Sequence, residues 1–259
     1  MKSRKGITFS IGICLLFVFL TILFLSFRKD SRPVMVAFGD SIMYGAGNDG
    51  TGIADLLNES NKYRLYDYSL GGSTVSYTEK KDADNFIKHI YHKYVVHKDY
   101  SKLINITYQV DSAIEKVSCA DIILIDGGIN DVFKNAEIGE LSMDKSTFDK
   151  STFSGGLEYC LSELKSHYTN AVIIYINTHM DGATNSNSQI LFSNKAKEIC
   201  SLYGVKYIDI TKESGFDTSK NEYIKYTANE DKIHPTDEGY KKFYIPEIKE
   251  KINQLTNNK

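Results

Sequence analysis

The motif Gly39-Asp40-Ser41-Ile42 contains a serine whose hydroxyl could act as a nucleophile. Glycine permits a sharp turn, and a serine that opens a helix lies where the helix N-terminus favours developing negative charge. Serine is a weak nucleophile at its ordinary pKa, so a neighbouring base must take its proton during attack. Because Gly-Asp-Ser is also a common turn and helix-capping sequence, the motif alone is weak evidence for catalysis.

A candidate base follows near the C-terminus, in the motif Asp231-Lys232-Ile233-His234-Pro235-Thr236. An aspartate three residues before a histidine can hold the imidazole in one tautomer while the other ring nitrogen faces outward. In isolation, this motif is more simply explained by a histidine that closes a loop and an aspartate that faces water.

Two further motifs carry groups that could stabilise negative charge. Asp67-Tyr68-Ser69-Leu70-Gly71-Gly72-Ser73-Thr74 has paired glycines whose N–H groups could approach a ligand closely, although a plain turn would use them too. Gly127-Gly128-Ile129-Asn130-Asp131 supplies a side-chain amide, or else an Asx turn that closes a strand. Each of these motifs is ambiguous by itself.

Five short apolar runs predict the β-strands that would position these motifs: Val34–Phe38, Tyr63–Tyr68, Ile122–Ile125, Val172–Ile176 and Val205–Ile210. Three of the runs are nearly continuous in valine, isoleucine and leucine, as in a parallel sheet that is covered on both faces. Apolar residues at helical spacing between the later runs predict amphipathic helices. The alternation therefore predicts a doubly wound α/β sheet with right-handed crossovers.

Three stretches depart from this simple alternation. The C-terminal stretch from Tyr240 to Leu255 has the apolar spacing of a helix, but Pro246 should kink or split that helix. Val75–Ser118 and Val132–Ser154 are interpreted as insertions after the second and third strands. Loops at the carboxyl ends of parallel strands border the ligand crevice, so we expect these insertions to shape substrate access.

The four motifs occur in order, and each lies at a predicted strand end or just before the last helix. Together they resemble the four sequence blocks of the SGNH hydrolases, also called GDSL-type esterases and lipases, from Val34 to about Tyr244. The resemblance implies a flavodoxin-like, three-layer α/β/α fold with a mostly five-stranded parallel sheet.

The resemblance also implies a role for each motif. Ser41 corresponds to the family's nucleophile, His234 to its general base and Asp231 to the acid that orients the base. The backbone N–H groups of Ser41 and Gly72 and the side-chain amide of Asn130 would form the oxyanion hole. The second glycine of the pair is chosen because the family's second block places its donor glycine directly before a small polar residue and a threonine, as Gly72 stands before Ser73-Thr74.

An esterase of this family needs no metal or cofactor, and its substrate would be an acylated small molecule, glycan or lipid. We expect acyl esters, O-acetyl groups first among them, on a cell-wall or secreted glycan. Three alternatives stay open: a lysophospholipase or lipase, an acyltransferase on the same site, and a catalytically inactive surface-binding module. A lipase would need an apolar groove, for which Phe86, Ile90 and Tyr91 are candidates, although packing of a helix explains them more simply.

The N-terminal segment differs in composition from the rest of the chain. Ile7–Phe27 contains no charged residue, and as a helix it would cover roughly 31 Å, the thickness of a hydrocarbon core. The run is longer than the apolar region of a signal peptide and lacks a small-residue cleavage site. We therefore predict an uncleaved transmembrane anchor.

Three basic residues precede this anchor and three follow it closely, so the charge rule that marks the cytoplasmic side is nearly balanced. We place the N-terminus inside and the domain outside, because a lone anchor most simply exports the domain that follows it. The predicted organisation is a cytoplasmic N-terminus at 1–6, an anchor at 7–27, a linker at 28–33 and an extracytoplasmic SGNH hydrolase domain at 34–259.

Charge and cysteine content argue against other classes of protein. Pro33–Lys259 carries a formal net charge of about −7, which makes nucleic acid an unsuitable partner. The three cysteines that follow the anchor form no CxxC pair and no metal-ligand spacing. His89, His92 and His97 could share a metal, but no acidic residue converges with them at suitable spacing, so solvent-exposed histidines are the better interpretation.

Overall fold

The apolar runs form the five predicted strands, with ends that differ from the prediction by at most one residue. A computed structural model describes residues 30–77, 105–178 and 186–257. The strands are β1 Val34–Phe38, β2 Arg64–Asp67, β3 Ile122–Asp126, β4 Val172–Asn177 and β5 Lys206–Asp209. β1, β3 and β4 are buried along their whole length, which explains why their sequences are apolar runs, interrupted only by the last residues of β3 and β4, Asp126 and Asn177.

All neighbouring strands pair in parallel, in the order β2-β1-β3-β4-β5. The register places Val36 beside Ile123, and Ile123 beside Ile173. The chain first moves outward from β1 to β2 and then returns past β1 to β3, so the direction of winding reverses between β1 and β3. In open α/β sheets, the ligand crevice lies at such a reversal, outside the carboxyl ends of the strands.

The described residues contain ten α-helices, several of them only one turn long: α1 Ser41–Tyr44, α2 Ile53–Leu57, α3 Ile106–Lys116, α4 Ile129–Phe133, α5 Phe153–His167, α6 Ser186–Leu202, α7 Ile210–Ser214, α8 Asn221–Ile224, α9 Asp237–Gly239 and α10 Ile245–Thr256. Helix α5 packs against both α3 and α6, whereas α2 and α7 both contact α10. These two groups form the outer layers of a three-layer α/β/α arrangement around the sheet.

The C-terminal helical stretch divides where Pro246 was expected to interrupt it. A π-helical turn, Tyr240–Tyr244, precedes α10, and the N–H of Ile245 bonds to the Tyr240 carbonyl. Pro246 lies in the first turn of α10, where a missing N–H costs least because first-turn donors have no partner within the helix.

The two predicted insertions have different outcomes. Val75–Ser118 was interpreted as an insertion throughout, and this is wrong for its last part, because α3 within it is the crossover helix between β2 and β3. The candidate acyl-groove residues and His89, His92 and His97 lie outside the described residues. Val132–Ser154 is largely irregular, and the buried Glu158 of α5 holds it by accepting two of its backbone N–H groups.

The predicted anchor also lies outside the described residues, so it stays a prediction. Among the helices that the structure describes, none combines the length and the apolar character that crossing a bilayer requires. The sheet and its helices belong to one structural unit, Pro33–Lys259.

Candidate active site

The turn after β1 places Ser41 at the carboxyl edge of the sheet. Ser41 is the first residue of α1, and only 7% of its surface is exposed. Asp40 caps this helix through its side chain. Tyr240 supports the helix from the C-terminal region by donating its hydroxyl to the Ile42 carbonyl at 2.7 Å. The serine is thus held in a fixed and nearly buried position.

Side chains accept the backbone N–H groups on both sides of Ser41. The pairs are the Gly39 N–H with Gln109 Oε1 at 2.8 Å, the Asp40 N–H with Asp126 Oδ1 at 3.0 Å, and the Ile42 N–H with Asp40 Oδ1 at 2.9 Å. Within the part of the chain that the structure describes, the Ser41 N–H itself has no acceptor. Since buried N–H groups are almost always paired, this donor is available to an anionic ligand.

The approach of Asp126 explains the glycine at position 39. A Cβ atom on Gly39 would lie 1.8 Å from Asp126 Oδ1. Asp126 is fully buried at the end of β3, and its Oδ2 has no hydrogen-bond partner among the described residues. Burial, and then the charge of Asp40, raise the pKa of Asp126 well above its ordinary value. The neutral form of this carboxyl is therefore favoured.

His234 lies between Ser41 and Asp231 in a continuous chain of contacts. Its Nε2 is 3.0 Å from Ser41 Oγ, and its Nδ1 is 2.7 Å from Asp231 Oδ2. The other carboxylate oxygen of Asp231 accepts the backbone N–H groups of Ile233 and His234 at 2.8 and 2.9 Å. A carboxylate beside Nδ1 favours the tautomer with its proton there, which leaves Nε2 to accept the serine hydroxyl.

The loop that carries Asp231 and His234 has an unusual backbone. Asn229, Glu230 and Lys232 have φ values of 52°, 57° and 65°, in the left-handed region that non-glycine residues rarely occupy. Two threonines hold Lys232 by both of its backbone groups: Thr227 Oγ1 accepts its N–H at 3.0 Å, and Thr218 Oγ1 donates to its carbonyl at 3.1 Å. Such backbone strain persists only where surrounding contacts fix it.

The paired glycines form a tight turn beside the serine. The N–H of Ser73 bonds to the Leu70 carbonyl at 3.2 Å, and Gly72 has a φ of 79°, as the third residue of a type II turn requires. Leu70 joins this turn to the nucleophile turn by donating its N–H to the Gly39 carbonyl at 3.0 Å. The Gly72 N–H meets no acceptor among the described residues.

Asn130, the second residue of α4, connects the two turns through its side-chain amide. Nδ2 donates to Asp40 Oδ2 at 3.2 Å and to the Ser73 carbonyl at 2.9 Å. The positive φ values of Gly127 and Gly128, 157° and 110°, allow the chain to leave β3 and enter α4 at this point. The amide is therefore fixed between the serine turn and the glycine turn.

Asp131 fixes the chain that leaves the glycine turn. Its two carboxylate oxygens accept the N–H groups of Val75 and Ser76, both at 2.8 Å. Burial raises the pKa of Asp131 to about 6, although the two N–H groups and Lys134 oppose this shift. Burial likewise raises the pKa of Asp40 to about 6. Together with Asp126, three carboxyls with raised pKa values therefore support the site.

All five residues predicted for the site lie around one edge of the sheet, and Ser41, His234 and Asp231 form one hydrogen-bonded chain. Three supporting residues escaped the prediction: Gln109, Asp126 and Asp131. Asp126 directly follows the predicted third strand and Asp131 directly follows Asn130 in the same motif, positions that could have indicated them. Nothing in the sequence marks Gln109, whose partner Gly39 lies 70 residues earlier.

Across residues 30–77, 105–178 and 186–257, no three His, Cys, Asp or Glu side chains are grouped as metal ligands would be. His179 and Asp181 follow β4 in the sequence and lie outside the described residues.

With this geometry, Ser41 Oγ can lose its proton to His234 Nε2. The N–H groups of Ser41 and Gly72, which have no acceptor among the residues that the structure describes, lie nearby for a developing negative charge. The sequence pattern of the GDSL-like Lipase/Acylhydrolase family matches residues 37–242, a range that contains all of these groups. No curated protein matches the chain.

Solved structures with this fold include a protein from Lactobacillus plantarum, which is 18% identical, with a TM-score of 0.63 over 87% of this chain and 99% of that one. A GDSL-like lipase from Bacteroides ovatus is 19% identical, with a TM-score of 0.54 over 88% and 100% of the two chains. Phospholipase A1 from Streptomyces albidoflavus is 15% identical, with a TM-score of 0.52 over 85% and 100%. At these identities the likeness concerns the fold.

Proposed function

Because the chain belongs to the GDSL-like Lipase/Acylhydrolase family and is a serine carboxylic ester hydrolase, we propose that Ser41, His234 and Asp231 are its catalytic triad. One observation carries this proposal: the contacts Ser41 Oγ to His234 Nε2 at 3.0 Å and His234 Nδ1 to Asp231 Oδ2 at 2.7 Å form one chain. The order nucleophile, base, orienting acid is the one that proton transfer from serine needs.

In the first half of the reaction, Ser41 Oγ attacks the carbonyl carbon of the ester while its proton moves to His234 Nε2. Asp231 stabilises the imidazolium ion that forms. The oxygen of the tetrahedral intermediate lies against the N–H groups of Ser41 and Gly72, and Asn130 Nδ2 joins them by turning toward it the proton that it gives to Asp40 Oδ2 at 3.2 Å in the free protein. Each such donor contributes about 10²- to 10³-fold in rate where oxyanion holes have been dissected.

In the second half, the intermediate collapses and the imidazolium gives its proton to the leaving alcohol. The acyl group stays on Ser41 as an ester. His234 then takes a proton from water, the hydroxide attacks the acyl carbon, and the second intermediate releases the acid and restores the serine hydroxyl. An acceptor alcohol in place of water would make the same site an acyltransferase.

We propose short acyl esters, O-acetyl groups first among them, as the substrates. The groups placed around Ser41 are small or polar, namely the glycine turn, the Asn130 amide and the His234 ring. Such surroundings suit an acetyl group better than a long alkyl chain, which needs an apolar groove. The phospholipase A1 that shares the fold represents the alternative, a lipid substrate.

A series of p-nitrophenyl esters from acetate to long acyl chains tests this proposal on the purified protein. We expect turnover to be fastest on acetate and to vanish in Ser41→Ala, while Ser60→Ala, which changes an exposed serine, keeps the wild-type rate. A preference for long chains would replace the acetyl proposal with a lipase. Undiminished turnover in Ser41→Ala would overturn the triad.

We also propose that Ile7–Phe27 anchors the protein in the cell membrane with the domain outside. The support is the uncharged length of this segment and the domain that follows it. A protease added to intact cells should remove a C-terminal epitope tag. A tag that stays intact until the cells are lysed would place the domain in the cytoplasm instead.

A further inference from the structure

The buried side chain of Gln109 touches both turns that form the candidate oxyanion hole. It lies in the first half of α3 and is fully excluded from solvent. Its Oε1 accepts the Gly39 N–H at 2.8 Å, and its Nε2 donates to the Gly39 carbonyl at 2.9 Å. The same Nε2 donates to Ser73 Oγ at 2.9 Å. One amide thus engages the chain two residues before Ser41 and the residue directly after Gly72.

Ser73 extends this connection to the third predicted donor of the oxyanion hole. Its carbonyl accepts Asn130 Nδ2 at 2.9 Å, and its hydroxyl donates to the Leu70 carbonyl at 2.6 Å. Gln109 therefore reaches Asn130 through a single intervening residue. All three segments that would hold the oxyanion are connected to one buried side chain.

The backbone of α3 is tied to the same region, so Gln109 is held at both of its ends. The N–H of Ile106 bonds to the Thr74 carbonyl at 2.9 Å, and Thr74 Oγ1 donates to Asn105 Oδ1 at 3.0 Å. A side chain that is anchored at its base and bonded at its tip can set a distance between two segments.

We propose that Gln109 is a positioning residue that fixes the spacing between the oxyanion donors on the Ser41 turn and those on the Gly72 turn. This inference rests on the proposed function of the site. Gln109 touches no reacting atom and acts through the backbone of Gly39 and the hydroxyl of Ser73. A small error in donor spacing weakens contacts that form fully only in the transition state.

The chemistry of the contact explains why an amide occupies this position. Gly39 presents one N–H donor and one carbonyl acceptor, and a primary amide offers the complementary pair with a second proton left for Ser73. A glutamate carboxylate would face the Gly39 carbonyl without a donor, and leucine or methionine would offer neither group. The site therefore requires a neutral side chain that both donates and accepts.

The experiment measures steady-state kinetics on p-nitrophenyl acetate for the full-length Gln109→Leu variant, with Gln109→Met as a second variant of more similar shape. We expect kcat to fall by about 10- to 100-fold with KM within about 2-fold of wild type, because only transition-state contacts are displaced. The rate constant for inactivation by an organophosphonate should fall in the same proportion as kcat, since its phosphoryl oxygen occupies the oxyanion hole.

The control is Tyr168→Phe, which loosens the same helix at its far end. The single proton of the Tyr168 hydroxyl is shared between the Val117 and Ala113 carbonyls, which lie 2.9 and 3.2 Å from its oxygen. This variant should lose stability but keep kcat, with all proteins assayed at a temperature where circular dichroism shows them folded.

Three results would overturn the inference: folded Gln109 variants with wild-type kcat, a change confined to KM, or an equal loss of kcat in Tyr168→Phe. None of these results would contradict the catalytic triad. The triad has its own test, because turnover that survives Ser41→Ala would refute the proposed function.

Discussion

At the scale of single residues, the site is defined as much by backbone groups as by side chains. Gln109, Asp126 and Asp40 accept the N–H groups around Ser41, and the donors of Ser41 and Gly72 find no acceptor in the described ranges. An oxyanion hole needs such donors in place before the reaction, because their reorganisation during the reaction would cost rate. The carboxyls of Asp40 and Asp126 are buried where they accept these N–H groups, and burial raises the pKa of both. The same effect on a third buried carboxyl, that of Asp131, can be measured.

Asp131 should make stability depend on pH. Burial raises its pKa to about 6 in the folded protein, whereas an unfolded aspartate titrates near ~3.9. Between these values the folded protein holds a proton that the unfolded chain releases, so its contribution to the free energy of unfolding falls as pH rises from about 4 to about 6. The shift corresponds to about 3 kcal/mol.

Urea unfolding of wild type and Asp131→Asn between pH 4 and pH 8 measures this effect. The wild-type free energy of unfolding minus that of the variant should decrease by up to about 3 kcal/mol as pH rises to about 6, and then stay constant. A difference that does not change with pH would show that Asp131 titrates alike in the folded and unfolded protein.

At the scale of elements, the strands were predictable and the contacts at their ends were not. Buried parallel strands read as apolar runs, so the bounds of β1 follow from local sequence, and those of β3 and β4 follow to within the polar residue that ends each of them. The four motifs located Ser41, Asn130 and His234 because each stands at an element end. The bond from the Asp40 N–H to Asp126 joins residues 86 positions apart, and no local pattern encodes it.

Two errors at this scale have physical causes. Helix α3 was missed because it follows a long aromatic stretch without a strand signal, so the whole of Val75–Ser118 was interpreted as one insertion. The position of Pro246 predicted an interruption of the C-terminal helix, but not that a π-helical turn would absorb it. In the wider π-helical turn, the Tyr240 hydroxyl reaches the Ile42 carbonyl of α1. Tertiary packing, rather than local sequence, determines whether the chain forms a π-helical or an α-helical turn here.

The junction of β1 and α1 should tolerate no side chain at Gly39. In Gly39→Ala, the added Cβ would lie 1.8 Å from Asp126 Oδ1 and 2.7 Å from Met43 Cβ. We expect a loss of at least about 2 kcal/mol in the free energy of unfolding, because overpacking moves the backbone. We also expect kcat to fall by about 10²-fold, since the serine turn is displaced.

Gly215→Ala is the matched control for this variant. Gly215 has a φ of 74°, and nothing lies within 4 Å of the added Cβ. It should lose about 1 kcal/mol through the left-handed backbone alone and keep its kcat. Wild-type activity in Gly39→Ala, or an equal loss of kcat in Gly215→Ala, would contradict a turn that is fixed by Asp126.

At the scale of the whole molecule, the reversal of winding between β1 and β3 gathers residues from four distant parts of the chain. The turns after β1, β2 and β3 supply Ser41, Gly72 and Asn130, and the loop before α9 supplies His234 and Asp231. The sequence predicts this convergence because parallel strands end at a common edge. It does not determine the substrate, which depends on surfaces formed by long connections between elements.

In the proposed mechanism, Ser41 is the nucleophile and His234 activates it. The most direct measurement is mass spectrometry of the purified protein after reaction with an organophosphonate, followed by peptide mapping. We expect one adduct per chain, located on Ser41, absent in Ser41→Ala and formed at least about 10²-fold more slowly in His234→Gln, because the base is lost. An adduct on another residue, or labelling of Ser41 at the wild-type rate without His234, would contradict the catalytic arrangement proposed for this site.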